Sequence, residues 1–213
     1  MMHSPQVQQV MQVLEVSHPE AGCALEYDGP WQLLVATILS AQCTDQRVNL
    51  VTRNLFRKLP GPQQLAASSQ EQVEALIRST GFFRNKARNL IACAEAVLAR
   101  HGGQVPQTLA ALVALPGVGR KTANVVLGNA FQIPGMVVDT HVKRLARRFG
   151  WTIHEDPVRI ELELMALLPR DSWTQAGHLL IAHGRKYCKA PTPICSCCPL
   201  LMLCPRIGVE RSR

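Results

Sequence analysis

Residues Leu115 to Leu127 read LPGVGRKTANVVL. The preceding Ala- and Leu-rich segment forms a helix that ends near Ala114, and Pro-Gly-Val-Gly then makes a tight hairpin. A second helix starts near Arg120. The two glycines permit φ > 0 and close approach of another backbone. Hairpin amides and the following helix N-terminus then face outward, where they can hold an anion such as a phosphate. A plain helical connection needs neither both glycines nor flanking basic residues, so the segment reads as a helix-hairpin-helix DNA-binding element.

Outward from this hairpin the chain continues as helix after helix. Apolar residues recur three and four apart, as in Val73, Leu76, Ile77 and in Ala87, Leu90, Ile91, Ala94, Val97, Leu98, which is the period of one helix face. Prolines at 30, 60, 62, 106, 116, 134, 157 and 169 punctuate the pattern. Helices are expected over residues 5–16, 30–42, 45–58, 69–79, 84–101, 107–114, 119–131, 139–148, 157–168 and 172–184. No alternating strand pair flanks an Asn-Gly or Asp-Gly turn, so the fold class is all-α. With 213 residues, 47% of them hydrophobic and 18% charged, the chain can bury a real core. Its longest apolar run, Leu33 to Leu39, is far below the ~18 residues that span a bilayer. Met1 to Pro5 shows no basic patch before an apolar stretch, so neither a secretory leader nor a membrane span is expected.

The formal charge is +8, but it is unevenly placed. Residues 1–46 hold Glu15, Glu20, Glu26, Asp28 and Asp45 and no Lys or Arg, so the remaining 167 residues carry +13. Arg120, Lys121, Lys143, Arg144, Arg147 and Arg148 face only Asp139 between positions 120 and 150. Such clustering suits a polyanion partner, although a solvated basic face would give the same count. The eight cysteines cluster too. Cys23, Cys43 and Cys93 stand alone in apolar surroundings and read as small core residues. Cys188, Cys195, Cys197, Cys198 and Cys204 lie within 17 residues, and without a leader a metal site is favoured over disulfides.

The hairpin with Lys121, the segment VVDTHVKRLARRFG from Val137 to Gly150, and the cysteine knot together resemble the endonuclease III family of DNA glycosylase/lyases. The resemblance runs from SAQCTD (Ser40 to Asp45) to Cys204, nearly the whole chain. It implies removal of oxidised pyrimidines from damaged double-stranded DNA, followed by cleavage 3′ to the abasic sugar by β-elimination. Covalent excision needs an amine that can form a Schiff base at C1′, and the resemblance places Lys121 there. The positive helix terminus disfavours an ammonium and helps supply free amine. Read alone, Lys121 would sooner be a phosphate contact than a nucleophile. Asp139 matches the family's catalytic aspartate, which steadies the cationic sugar, and it also opens a helix as an N-cap.

Further matches concern DNA contact. Pro116, Gly117, Val118, Gly119 and Arg120 form the hairpin. Gln42 resembles the residue that fills the gap left by an extruded base. The segment Gly81-Phe82-Phe83-Arg84-Asn85-Lys86 resembles the loop that wedges an apolar side chain into the stack, with Phe82 as the wedge; either Phe could instead be core. His141, in Asp-Thr-His, would contact phosphate or lesion. Lys189 is the sole basic residue between Cys188 and Cys195, where relatives carry several, so that loop should hold DNA less firmly.

The spacing C-x6-C-x2-C-x5-C of Cys188, Cys195, Cys198 and Cys204 has one clean knuckle, whereas zinc ribbons use two. It favours a [4Fe-4S] cluster, and the family pattern agrees. Cys197 is spare. The expected architecture has two helical lobes with DNA across the cleft between them. Residues 24–134 carry the hairpin, and residues 1–23 with 135–213 carry the cluster. The cluster lobe, poor in other apolar residues, is expected to need it for folding. A cytoplasmic monomer is expected. An adenine-mismatch glycosylase is disfavoured, since Gly29 to Thr44 holds no carboxylate and nine residues follow Cys204. A non-catalytic DNA-binding protein would have no need of a buried amine at 121, and an electron carrier no need of a basic cleft.

Overall fold

A computed structural model describes residues 4–213; the leader reading at Met1, Met2 and His3 lies outside them. Eleven α-helices and two short 3₁₀ turns, with no strand, make up the regular structure of the described residues. The chain divides into two compact units, one of residues up to Gly22 together with Pro134–Arg213, the other Cys23–Ile133.

The Cys23–Ile133 unit surrounds α2 (Pro30–Leu39), whose residues Leu33 to Leu39 are all buried. Against it pack α3 (Asp45–Lys58), α6 (Phe83–His101) and α8 (Arg120–Ala130), while α4 (Pro62–Ala66) and α5 (Gln70–Ile77) pack on α6 and α7 (Leu109–Val113) on α8. Local chemistry starts these helices. Thr44 and Thr108 accept amide bonds at N-caps, and Ser69 forms a reciprocal capping box with Gln72. Pro30 and Pro62 occupy first-turn positions, where a missing N–H costs nothing. Leu34, Leu55, Leu90, Val97 and Leu112 join one buried core. Two expectations need correction. Helix 30–42 stops at Leu39, where Ser40 caps it through bonds from its amide to Ala36 and Thr37. The five-residue α4 is absent from the expected list because one helical turn shows no periodicity.

The other unit is built from α1 (Ser4–Ser17), α9 (Thr140–Arg148), α10 (Pro157–Leu167) and α11 (Trp173–Lys186). Val10, Leu14, Leu145, Phe149, Trp151, Leu164 and Leu180 form its core. That core corrects the expectation of a lobe with little apolar support: the four helices pack on one another, and the cysteine segment closes one end, with Cys188 and Leu200 in the same cluster. No helix among the described residues is long and apolar enough to cross a membrane.

Candidate functional site

The residues singled out from sequence fall in both units. In the hairpin, Gly117 has φ +75°, and an added Cβ would lie 2.8 Å from the Cβ of Asn89. Only glycine fits. Gly119 differs from expectation: its φ is −89°, and a Cβ there would meet nothing within 4 Å. Nothing inside the protein demands glycine at 119, which leaves room for an outside group. Val118 turns inward, 6% exposed, and its amide closes the turn on Leu115 O at 3.2 Å. It can offer only backbone to a ligand. Gly119 supplies no side-chain cap to α8, and the first-turn amides of a helix have no acceptor within the helix itself. Pro116 and Arg120 are half-exposed beside it.

Lys121 sits in the first turn of α8, exposed, with no hydrogen bond or ion pair among the described residues. The expectation of a buried amine is therefore corrected within this unit. Gln42 and Phe82 share a feature invisible in sequence. Both are left-handed, at φ 53° and 48°, a conformation that non-glycine residues adopt at a cost of about 1–3 kcal/mol. Both side chains are exposed, Phe82 by 64%. Phe83 instead packs on the core, with the Arg78 and Arg84 guanidinium groups 6.0 and 5.6 Å from its ring centroid. The structure thus separates two adjacent phenylalanines that sequence could not.

In the other unit Asp139 is the N-cap of α9. Its Oδ1 accepts from the amides of His141 and Val142, both at 2.8 Å. Oδ2 takes no hydrogen bond from the described residues. His141 lies against Gly184, where a Cβ would come within 2.9 Å of its ring. Burial lowers its pKa, with Asp139 opposing. Its Nδ1 is 3.0 Å from Arg144 Nη2, and Arg144 Nε donates to Cys188 O at 2.9 Å. Arg148 is buried and donates to Cys188 Sγ at 3.2 Å and to the carbonyls of Lys189 and Pro191. Lys143 and Arg147 pair with Glu155. Four residues read from sequence as part of a polyanion footprint are thus engaged inside this unit. Charge counts carry no direction, which is why the reading missed it. Lys189 is exposed.

Cys188, Cys195, Cys198 and Cys204 line one small pocket, together with Phe149, Ile194, Leu201 and Val209. Cys197 is exposed and outside it. Among the described residues no three His, Cys, Asp or Glu side chains are gathered tightly enough to hold a single metal ion. Burial pushes the Cys198 thiol up to about 11 and raises Cys204 as well. His183, 1% exposed and missed from sequence, lies 3.4 Å from Cys198 Sγ through Nε2 and 3.1 Å from His18 Nε2 through Nδ1. Burial, then His18, hold its pKa down at about 4.

Residues 35–170 match the family model described as HhH-GPD superfamily base excision DNA repair protein. The chain is 50% identical over 198 residues to an endonuclease III of Synechocystis sp., covering 92% of this chain and 90% of that protein. Against an endonuclease III of Bacillus subtilis the identity is 45% over 196 residues, 92% and 89% covered. A solved structure of a trapped endonuclease III–DNA covalent intermediate superposes with a TM-score of 0.92, at 42% identity and 97% coverage of both chains.

Proposed function

The chain belongs to the endonuclease III family of helix-hairpin-helix base-excision repair proteins, and on that premise we propose a residue-level mechanism in which Lys121 is the nucleophile. The protein is a DNA glycosylase with abasic-site lyase activity acting on double-stranded DNA. One observation carries the assignment of Lys121: an exposed amine with no hydrogen bond or ion pair among the described residues stands in the first turn of a helix whose N-cap, Gly119, has no side chain to cap it. Amides and open space at Gly119 suit a phosphate, which would bring the backbone of the substrate to the amine.

Lys121 attacks C1′ of the damaged nucleotide as a free amine. The C1′–N bond breaks, and its electron pair leaves with the base, which takes up a proton. O4′ then departs from C1′ and takes the amine proton, opening the ring and leaving an imine. Loss of a C2′ proton expels the 3′ phosphate and cuts the strand, and water releases Lys121. Every electron pair is accounted for without a redox partner. Asp139 supplies negative charge to the cationic sugar through Oδ2, while the two bonds to Oδ1 hold the carboxylate in place. Gln42 fills the gap that the extruded base leaves, Phe82 wedges into the base stack beside it, and His141 and Lys189 contact DNA.

Cys188, Cys195, Cys198 and Cys204 are the residues that would hold a [4Fe-4S] cluster. All four thiols line the same pocket, which suits a cluster that takes one thiolate per iron. When bound, the cluster ties the C-terminal loop together and takes no part in bond breaking. A cytoplasmic location fits a genomic duplex as substrate and relatives that are bacterial. The test is borohydride added during turnover on abasic DNA. Wild type should be trapped covalently and Lys121→Gln should not, with duplex binding retained because one charge among many is lost. An undiminished adduct in Lys121→Gln overturns the assignment.

A further inference from the structure

We infer that Lys86 is a positioning residue that locks the two DNA-inserting turns, at Gln42 and Phe82, to a single point. It rests on the reading of those two side chains as inserting ones. Lys86 is 5% exposed, and its Nζ donates to Leu39 O at 2.8 Å and to Thr80 O at 2.7 Å. Leu39 is the last residue of α2, three before Gln42; Thr80 is two before Phe82. The Lys86 amide also donates to Phe82 O at 3.1 Å, the first bond of α6. One residue therefore holds the approach to both turns and the carbonyl of one inserting residue itself.

The arrangement has a physical purpose that packing does not explain. A methionine would fill the same volume without taking an ammonium out of water, and a buried ammonium is tolerated only when its protons are paired. What the ammonium adds is direction. Carbonyls 41 residues apart in sequence must both point at it, which fixes the spacing between the chain segments leading to Gln42 and Phe82. Of the four non-glycine residues at positive φ among those described, these are two. Left-handed residues at exposed turn tips persist only when the surrounding structure holds them. The turn at Gln42 has its own closure, Cys43 N to Ser40 O at 3.1 Å, and Lys86 Nζ ties the segment leading into it to the segment leading into the Phe82 turn. Insertion of both side chains into one gap in a duplex needs that span to be constant.

The experiment pairs Lys86→Met with Gln42→Ala/Phe82→Ala, using full-length protein with its cluster. Substrates are a duplex carrying one oxidised pyrimidine opposite 2-aminopurine, and the same duplex with a pre-formed abasic site. Lys86→Met should lower kcat for base excision tenfold or more and abolish the 2-aminopurine rise, with duplex affinity within twofold. Cleavage at the abasic site, which has no base to extrude, should fall threefold or less. In the Gln42→Ala/Phe82→Ala background, adding Lys86→Met should change excision by less than twofold. Equal loss on both substrates, or an additive effect in the double background, overturns the inference. Should Lys86→Met not fold, Lys86→Gln, which can reach one carbonyl at most, enters the same cycle with the same criteria. If Gln42→Ala/Phe82→Ala alone leaves excision and fluorescence at wild-type level, the insertion reading falls, separately from Lys86.

Discussion

Replacing Asp139 by Asn and, separately, by Ala separates a charge from a cap. Oδ1 of Asp139 accepts two amide bonds at 2.8 Å, and an Asn side chain offers the same oxygen at the same position. Asn and Asp are equally good N-caps, so the loss on Asp139→Asn is the charge–dipole part alone, about 0.3–1 kcal/mol. Asp139→Ala removes both bonds and should cost about 1–2 kcal/mol. In a chain of this size each kcal/mol lowers Tm by about 2–4 °C. The expected falls are thus about 1–4 °C for Asn and about 2–8 °C for Ala. Catalysis should order differently. If Oδ2 faces the developing cation, both variants lose its charge, and single-turnover excision should drop about 10²-fold or more in each. Thermal unfolding beside single-turnover excision on a lesion duplex reads both axes. Asp139→Asn with excision within about threefold of wild type would refute the electrostatic role, leaving Asp139 a cap and nothing more.

The cysteine register makes its own prediction. Cys197→Ser should keep full iron and sulfide, because Cys197 is exposed and outside the cavity, whereas Ser at 188, 195, 198 or 204 should lose them. Since α1, α9, α10 and α11 share a core of their own, such variants should retain helical circular dichroism while the loop after Cys188 becomes protease-sensitive; retained iron in Cys195→Ser would shift the register. For the adjacent phenylalanines, Phe82→Ala should leave Tm nearly unchanged and suppress the signal of a 2-aminopurine opposite the lesion. Phe83→Ala, which empties a packed and cation-flanked site, should cost about 1–3 kcal/mol by thermal unfolding; the reverse pattern would make Phe83 the wedge.

Features written in a few adjacent residues were legible from the start. Pro116-Gly-Val-Gly119 specifies its turn locally, Asp139-Thr-His specifies its cap, and Thr44, Ser69 and Thr108 specify theirs, because each depends on bonds spanning three or four residues. The expected helices mostly match for the same reason. The misses share a cause as well. The expected helix 30–42 runs past the true end because Ser40, Ala41 and Gln42 carry no breaker in sequence, whereas Ser40 caps the helix and Gln42 takes a left-handed φ.

By itself, then, the sequence determined an all-helical chain, a hairpin with a lysine behind it, a capping aspartate and a four-cysteine spacing. All of these are set by near neighbours along the backbone. Tertiary structure alone decided which of Phe82 and Phe83 is exposed, that Arg148 turns inward to the cysteine loop, that His183 backs Cys198, and that Lys86 bridges Leu39 and Thr80. Each of these joins residues distant in sequence or depends on which side of a helix meets the core. A charged or aromatic residue has no preferred direction until the rest of the chain has packed around it.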